Sequence, residues 1–390
     1  MELMQFNFDK INDRRNANSS KWQVKEHELP MWVADMDIQT APAIIEAMHK
    51  DADRGIFGYQ YVPDEYYRAI ASWYKKEHNF EPDLDWLVFS NGVMPSIGSI
   101  LRHLTDLGDN VLLQEPNYNS FYNAITSNGR HIVNSELEYQ YGKYSINWKD
   151  LEEKLSDPQT TAMIVCNPHN PAGIIWDKET LTKIGKLANK HDVLIISDEI
   201  HGDITMPGYD YVPFASLDAE VTKNSISLAS PSKTFNLAIL HAATLFIPNA
   251  KLRQKVEHAI SVDGINSPGI MSMDASIAAY TQGHEWLTEL RQYIQKNREY
   301  VEDFAKKNLP DIKVLQAQAT YLAWIDCSKL TDKSDEFNQF LRDKTGLYLA
   351  EGTKYRGNGN QFLRMNLATP KSNVEDAMQR LVKGIAEYKA

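Results

Sequence analysis

Short apolar segments that alternate with helical patterns constrain the fold of this 390-residue chain more than any other feature. Four of them read as buried strands: Trp86–Ser90, Val111–Leu113, Met163–Cys166 and Val193–Ser197. A helical pattern over Thr180–His191 separates the last two. Strands that alternate with helices in this way are typical of an α/β domain with a mostly parallel sheet. The sequence therefore predicts an α/β fold.

A polar or glycine residue follows each predicted strand closely. Gly92, Tyr118, Asn170, Asp198 and Lys233 all stand just past an apolar run. In open α/β sheets, ligands bind outside the carboxyl ends of the strands. We therefore expect these five residues to meet in one site.

Lys233 lies in the serine-containing stretch 227–236, which an apolar strand precedes. Read alone, a lysine beside serines is most often a solvated surface charge. Together with Asn170 and Asp198, it supplies the groups that a pyridoxal 5′-phosphate site needs. A lysine binds this cofactor covalently, an aspartate pairs with the ring nitrogen, and an asparagine meets the ring hydroxyl.

A glycine turn between a strand and a helix indicates where a phosphate could bind. Ser90 ends a predicted strand, Gly92 follows, and a helix runs on through Leu104. Free backbone N–H groups at a helix start favour an anion. A single glycine is a weak signal, so this prediction depends on the neighbouring motifs.

Charge and composition exclude several classes of protein. Lys+Arg 41 against Asp+Glu 52 gives a net charge of −11, which argues against a nucleic-acid partner. No secretory signal and no long apolar segment is found, so we expect a cytoplasmic protein with no membrane partner. Cys166 and Cys327 each end an apolar run, which predicts reduced thiols and no metal site.

The second half of the chain predicts a smaller α+β domain. A long amphipathic helix from about Glu285 to Asn308 precedes strand-like segments at Tyr321–Ile325 and Phe362–Leu367. We expect a large domain at 46–283 and a small domain formed by both chain ends, 1–45 and 284–390. No internal repeat or low-complexity segment interrupts them.

The motifs resemble those of the pyridoxal-phosphate enzymes of the class I/II aminotransferase superfamily, and more closely its cystathionine β-lyase branch of carbon-sulfur β-lyases. The resemblance runs nearly end to end and is carried by Trp32–Asp37, Phe57–Tyr59, Asn170–Gly173, Ser197–His201, Ser232–Asn236 and Arg364–Asn366. It implies a fold-type I architecture: a large domain with a mostly parallel, seven-stranded sheet, and a smaller α+β domain.

The resemblance also implies roles for the catalytic residues. Lys233 would hold the cofactor and take the Cα proton, and Asp198 would keep the ring nitrogen protonated. Asn170 would donate to the ring oxygen, and Tyr118 would stack on the ring. Arg364 would bind the substrate α-carboxylate through two N–H groups, a geometry that lysine cannot supply. Taken singly, Tyr118 could be a core aromatic and Arg364 part of a surface ion pair.

For the phosphate, the resemblance implies contacts with Ser230 and with the backbone of Gly92 and Val93. Tyr59 would reach the same phosphate from a second subunit, which predicts a homodimer with a shared active site. His201 is assigned either to the ring oxygen or to a structural role. His241 stands where related aminotransferases carry a phosphate-binding arginine, and a histidine there makes that contact doubtful.

The expected reaction is β-elimination from an L-amino acid that bears sulfur on Cβ, such as L-cystathionine or L-cysteine. It yields pyruvate, ammonia and a thiol. An aminotransferase would use the same residues, and a regulatory protein that docks on a transcription factor could keep the same fold. Release of pyruvate without a keto-acid acceptor separates the lyase from the aminotransferase.

Overall fold

The computed structural model describes residues 5–389. Its strands, in chain order, are β1 Leu29–Pro30, β2 Leu87–Ser90, β3 Asn110–Leu113, β4 His131–Asn134, β5 Leu137–Gln140, β6 Lys143–Ile146, β7 Thr160–Cys166, β8 Leu194–Asp198, β9 Ser225–Ala229, β10 Ala243–Phe246, β11 Lys313–Val314, β12 Leu322–Asp326, β13 Leu347–Tyr348, β14 Ala350–Glu351 and β15 Phe362–Asn366.

The helices connect these strands and cover the main sheet. In chain order they are α1 Pro42–Arg54, α2 Asp64–His78, α3 Val93–Leu104, α4 Asn119–Thr126, α5 Trp148–Leu155, α6 Lys178–Lys190, α7 Ala219–Thr222, α8 Pro231–Thr234, α9 Ala250–Val262, α10 Ser272–Gln282, α11 His284–Asn308, α12 Ser334–Thr345 and α13 Lys371–Lys389.

The central sheet has seven strands in the order β2-β10-β9-β8-β7-β3-β4. The pairs β9/β8, β8/β7, β7/β3 and β3/β4 are parallel, whereas β10 runs antiparallel to both of its neighbours. The predicted α/β class with a mostly parallel sheet is therefore confirmed. Because four parallel pairs adjoin one another, the carboxyl ends of β3, β7, β8 and β9 lie along one edge.

Apolar side chains fill the space on both faces of this sheet. On one face, α3, α4 and α9 bury residues such as Ile97, Phe121 and Val256 against the strands. On the other face, α5 and α6 bury residues such as Leu151 and Ile184. Each fully buried aliphatic side chain contributes about 1.5–3 kcal/mol. The sheet is thus a stable platform for side chains at its edge.

The turn between β2 and α3 follows from its glycine. Gly92 has a φ of 134°, which side chains rarely adopt, and α3 begins at the next residue, Val93. Helix α1 likewise begins at Pro42, with proline accepted in its first turn. Local rules therefore decide these two boundaries.

A second, antiparallel sheet has the order β11-β12-β15-β14. The N-terminal strand β1 pairs with β13, so both chain ends share this region. The division into 46–283 and the two ends stays a prediction; α1 crosses its first boundary, and Gly283 separates α10 from α11 at its second.

Two features did not come from the sequence reading. The hairpin of β5 and β6 and the antiparallel strand β10 were not predicted.

Over residues 5–389, none of the helices combines the length and the apolar character needed to cross a bilayer.

Candidate active site

A cavity of about 180 Å³ lies at the carboxyl edge of the central sheet. Eight of the predicted site residues line it: Gly92, Val93, Tyr118, Asn170, Asp198, His201, Ser230 and Lys233. They come from five different connections along the chain, and the fold brings them together as the strand-end pattern predicted.

Lys233 occupies the single helical turn α8, which follows β9. Its Nζ donates to the carbonyl oxygen of Ala34 at 2.8 Å. Burial lowers the pKa of Lys233 to about 8, the charge of Arg364 acts in the same direction, and Asp35 and Asp198 oppose it. At pH 7 an amine with this pKa is about one-tenth neutral, far more than an ordinary lysine, and the neutral form is the one that acts as a nucleophile or a base.

Asp198 is the last residue of β8 and is buried. Its Oδ1 accepts the Ile200 N–H at 3.1 Å. Burial raises the pKa of Asp198 to about 6, while this N–H and the Lys233 charge oppose the rise. A protonated ring nitrogen placed beside a buried carboxyl group would stabilise its charged form.

Arg364 and Asn170 lie next to each other although 194 residues separate them. Arg364 Nη1 donates to Asn170 Oδ1 at 3.0 Å, and Nη2 donates to the Trp32 carbonyl oxygen at 3.0 Å. The guanidinium carbon lies 5.0 Å from the centre of the Tyr355 ring. The guanidinium plane is therefore fixed, and its buried Nε has no partner among the described residues.

The cavity also combines a helix start with small hydroxyl residues. The N-terminus of α3, at Gly92 and Val93, faces it. The Ser230 hydroxyl donates to the Ala242 carbonyl oxygen at 2.6 Å and accepts the Ser232 N–H at 3.1 Å. The hydroxyl proton of Ser230 is therefore already used in a hydrogen bond within the chain.

Sequence reasoning missed Ser232, which also lines the cavity. The signal was a second small hydroxyl residue beside the lysine. His241 lines the cavity as well, in the left-handed region with a φ of 49°. Both residues therefore belong to the lining of the cavity.

The aromatic residues of the site are held by their neighbours. The Tyr118 ring packs edge-on against Phe121 at 5.5 Å, and its N–H donates to Asn117 Oδ1 at 2.8 Å. The buried His201 ring lies 6.0 Å from the Tyr321 ring. Burial lowers the pKa of His201 to about 3, and the charges of Lys233 and Arg364 lower it further. His201 is therefore neutral and supplies no cation.

Two of the predicted residues do not line the cavity. Arg364 adjoins it through its hydrogen bond to Asn170, which does line it. Tyr59 is fully exposed, with a relative accessibility of 108%. Ile56, Phe57 and Tyr61 in the same segment are also exposed. We call residues 55–61 the aromatic loop. A role for Tyr59 depends on a second copy of the chain.

The residues present fit a flat ring that carries a phosphate. Arg364 Nε, His201 Nδ1 and Asn91 Oδ1 are buried polar atoms that lack a partner in the described part of the chain. Such atoms cost about 1–3 kcal/mol each unless something binds them. The cavity also offers a helix N-terminus for an anion, Asp198 for a basic nitrogen and Lys233 for a carbonyl group.

The fold and this site define a family. The model of "Aminotransferase class I and II" matches residues 31–381, and the chain belongs to that family.

Within this family, the chain is similar to several individual proteins. The chain is 38% identical to cystathionine beta-lyase PatB of Bacillus subtilis, over 96% of this chain and 98% of that protein. Among solved structures, it is similar to cystalysin from Treponema denticola, which contains pyridoxal 5′-phosphate: the TM-score is 0.94 and the identity 31%, over 98% of this chain and 100% of that one. The PLP-bound C-S lyase from Staphylococcus hominis gives a TM-score of 0.91 at 30% identity, with 98% of each chain covered.

Proposed function

We propose that this protein is a pyridoxal-phosphate-dependent carbon-sulfur β-lyase. Its substrates are L-amino acids with sulfur on Cβ, such as L-cystathionine or L-cysteine. With L-cystathionine and water, the products are pyruvate, ammonia and L-homocysteine. The observation that carries the proposal is the meeting of Lys233, Asp198 and Asn170 at one cavity, with Arg364 bound to Asn170 beside it. The relatives named cystathionine beta-lyase and C-S lyase support it.

Four groups of the chain would hold the cofactor. Lys233 would bind it covalently, Asp198 would pair with the ring nitrogen, and Asn170 would donate to the ring oxygen through its amide nitrogen. The N-terminus of α3 would bind the phosphate. When bound, the cofactor supplies an electron sink for the electron pair that the Cα proton leaves behind.

Lys233 transfers the proton, and Arg364 binds the substrate. Arg364 orients the α-carboxylate, and Nη2 at the Trp32 carbonyl keeps the guanidinium plane in place. The neutral form of Lys233 Nζ, which the lowered pKa of about 8 favours, accepts the Cα proton. The resulting ammonium then donates a proton to the sulfur as the Cβ–S bond breaks.

The test is a coupled assay for pyruvate with the cofactor-loaded protein, L-cystathionine and no keto acid. Pyruvate that forms with wild type and not with Lys233→Ala supports the lyase. Amino-group transfer that requires a keto acid, without pyruvate release, would instead identify an aminotransferase. A biological effect that Lys233→Ala retains in full would favour a docking role.

We also propose that the protein is a homodimer whose aromatic loop completes the partner's phosphate site. Phe57 is 64% and Tyr59 108% exposed, and a cluster of exposed large apolar residues is typical of an interface. We expect Phe57→Asp to sediment as a monomer. Leu107→Asp is the control, because Leu107 is 80% exposed and lies outside the aromatic loop.

Cofactor affinity separates the dimer from the shared site. If Tyr59 of one protomer binds the phosphate of its partner, Tyr59→Phe weakens cofactor binding while the dimer persists. An unchanged affinity would remove that contact. The proposed cytoplasmic location is supported by the two buried cysteines, Cys166 and Cys327, both of which are free thiols.

A further inference from the structure

A buried hydrogen bond lies directly behind the lysine turn. Thr234 follows Lys233 in the chain, and its Oγ1 donates to Asp203 Oδ2 at 2.9 Å. Both residues are buried. Asp203 stands in the connection that follows β8, five residues after Asp198. The short segment from Asp198 to Asp203 therefore includes the residue proposed to pair with the ring nitrogen and also contacts α8, the turn that carries Lys233.

The Asp203 carboxylate also anchors α2. Its Oδ1 accepts the Trp73 indole N–H at 2.8 Å and lies 2.8 Å from His78 Nε2. The Asp203 backbone oxygen accepts Arg291 Nε, from α11, at 2.7 Å. Asp203 thus joins three helices: its carboxylate contacts α2 and α8, and its backbone oxygen contacts α11.

The charge of Asp203 is balanced by these donors. Burial raises the pKa of the carboxyl, but the hydrogen bond and charge of His78, with Trp73 and Arg291, outweigh it and hold the pKa below its usual value. Hydrogen bonds to a charged group are stronger than those between neutral groups. The Thr234 hydroxyl is therefore held firmly.

The lysine turn needs such an anchor because it is very short. Helix α8 has only four residues, and an isolated turn of this length is not stable in water. Ser230 fixes its start by accepting the Ser232 N–H at 3.1 Å. The Thr234–Asp203 bond fixes its end. Lys233 stands between the two anchors.

We propose that Asp203 is a positioning residue for the lyase reaction, which acts through Thr234 to hold Lys233 in register with Asp198. The proposal rests on the proposed function, because it assumes that Lys233 is the cofactor lysine. A displacement of about 1 Å in a catalytic group can cost about 100-fold in rate. We therefore expect the loss of this one bond to lower kcat by about 10- to 100-fold.

Three threonine variants of the cofactor-loaded protein test it. Thr234→Val keeps the shape and removes the donor, and Thr234→Ser restores the donor. Thr244→Val is the matched control: Thr244 is buried on β10, its Oγ1 lies 2.8 Å from Tyr66 Oη, and its loss leaves the Thr234–Asp203 bond in place. The readouts are kcat and KM for pyruvate release, the pH titration of the visible absorbance, and the unfolding midpoint without cofactor.

Thr234→Val should lower kcat with little change in KM, and shift the absorbance titration by roughly half a pH unit or more. Thr234→Ser should stay close to wild type in both. Thr244→Val should lower the unfolding midpoint and leave kcat and the titration unchanged. A Thr234→Val protein with wild-type kcat and titration, or a Thr244→Val protein with the same defects, would overturn the proposal.

If Thr234→Val does not fold, Asp203→Asn replaces it. An asparagine amide could still donate to the Thr234 hydroxyl, so Asp203→Asn is combined with Thr234→Ala, which removes that hydroxyl and leaves Trp73 and His78 an acceptor oxygen. A lowered kcat with a shifted absorbance titration supports the positioning role, and wild-type values refute it. Failure of the proposed function looks different, because wild type itself would then release no pyruvate while its absorbance titration could still be compared with that of the variants.

Discussion

Arg364→Lys tests the two-point recognition of the substrate carboxylate. Arg364 is only 4% exposed, and two of its nitrogens are held at 3.0 Å, one by Asn170 Oδ1 and one by the Trp32 carbonyl oxygen. A lysine ammonium is a single point charge that cannot hold these partners and also present two parallel N–H groups. We therefore expect the variant to keep the charge and lose the geometry.

The expected fall in kcat/KM follows from the loss of one hydrogen bond to the substrate carboxylate. A hydrogen bond between charged groups contributes about 1.5–3 kcal/mol, and about 1.36 kcal/mol is a factor of ten. Arg364→Lys should therefore lower kcat/KM by about 10- to 150-fold. The carboxylate keeps its charge throughout the reaction, so most of the loss should appear as a higher KM.

Steady-state pyruvate release over a range of L-cystathionine concentrations measures both constants. Arg298→Lys is the control, because Arg298 is also buried and donates to the carbonyl oxygens of Thr320 and Leu322, at 3.2 and 3.0 Å. Both variants should lose stability, and only Arg364→Lys should raise KM. A kcat/KM within about threefold of wild type, or an equal rise in KM for Arg298→Lys, would refute the reasoning.

Three further predictions use the buried ionisable groups. In cofactor-free protein at pH 8, Lys233 should react with cyanate far faster than exposed Lys178. The reason is that a lysine pKa of about 8 gives roughly a hundredfold more neutral amine than the ordinary lysine value. Peptide mapping measures the labelling of each lysine, and equal labelling would contradict the prediction. Asp198→Asn should lower kcat by about 100-fold or more, and a change under about threefold would exclude its role at the ring nitrogen. Burial raises the pKa of Glu199 to about 7, so the folded state binds the proton more tightly and loses stability as pH rises from its ordinary 4.5 to 7. Denaturant unfolding at pH 5 and pH 8 should show a decline that is up to about 3 kcal/mol smaller in Glu199→Gln, and equal declines would contradict this.

The edge of the sheet could be predicted because its signals are local. An apolar strand that ends in a polar residue is visible in the sequence at Asn170, Asp198 and Lys233, and all three line the cavity. The glycine turn at Gly92 is equally local, since its φ of 134° is open to few other residues. These predictions needed only the residue types and the spacing of apolar residues along the chain.

Contacts between distant segments could not be predicted from such patterns. The bond from Arg364 to Asn170 spans 194 positions, and the bond from Thr234 to Asp203 depends on how the connection after β8 packs behind α8. The antiparallel direction of β10 is set by where the chain returns to the sheet and not by its composition. Burial, which shifts the pKa of His201 and Asp198, is likewise a property of the whole fold.

The segment from Trp32 to Met36 shows why a motif can mark a site without supplying a reactive side chain. Asn366 Nδ2 donates to the Val33 and Asp35 carbonyl oxygens, at 2.8 and 2.7 Å. Asn236 binds both the N–H and the carbonyl of Met36.

The carbonyl of Ala34 lies between these anchors and accepts Lys233 Nζ at 2.8 Å and Tyr321 Oη at 3.1 Å. It therefore gives the lysine ammonium a fixed acceptor within the protein whenever Nζ is not covalently engaged, in place of solvent. Because this acceptor belongs to the backbone, truncating the side chains of Val33 or Met36 leaves it in position. Substituting Asn236 or Asn366, which hold the segment, is the change that would displace it.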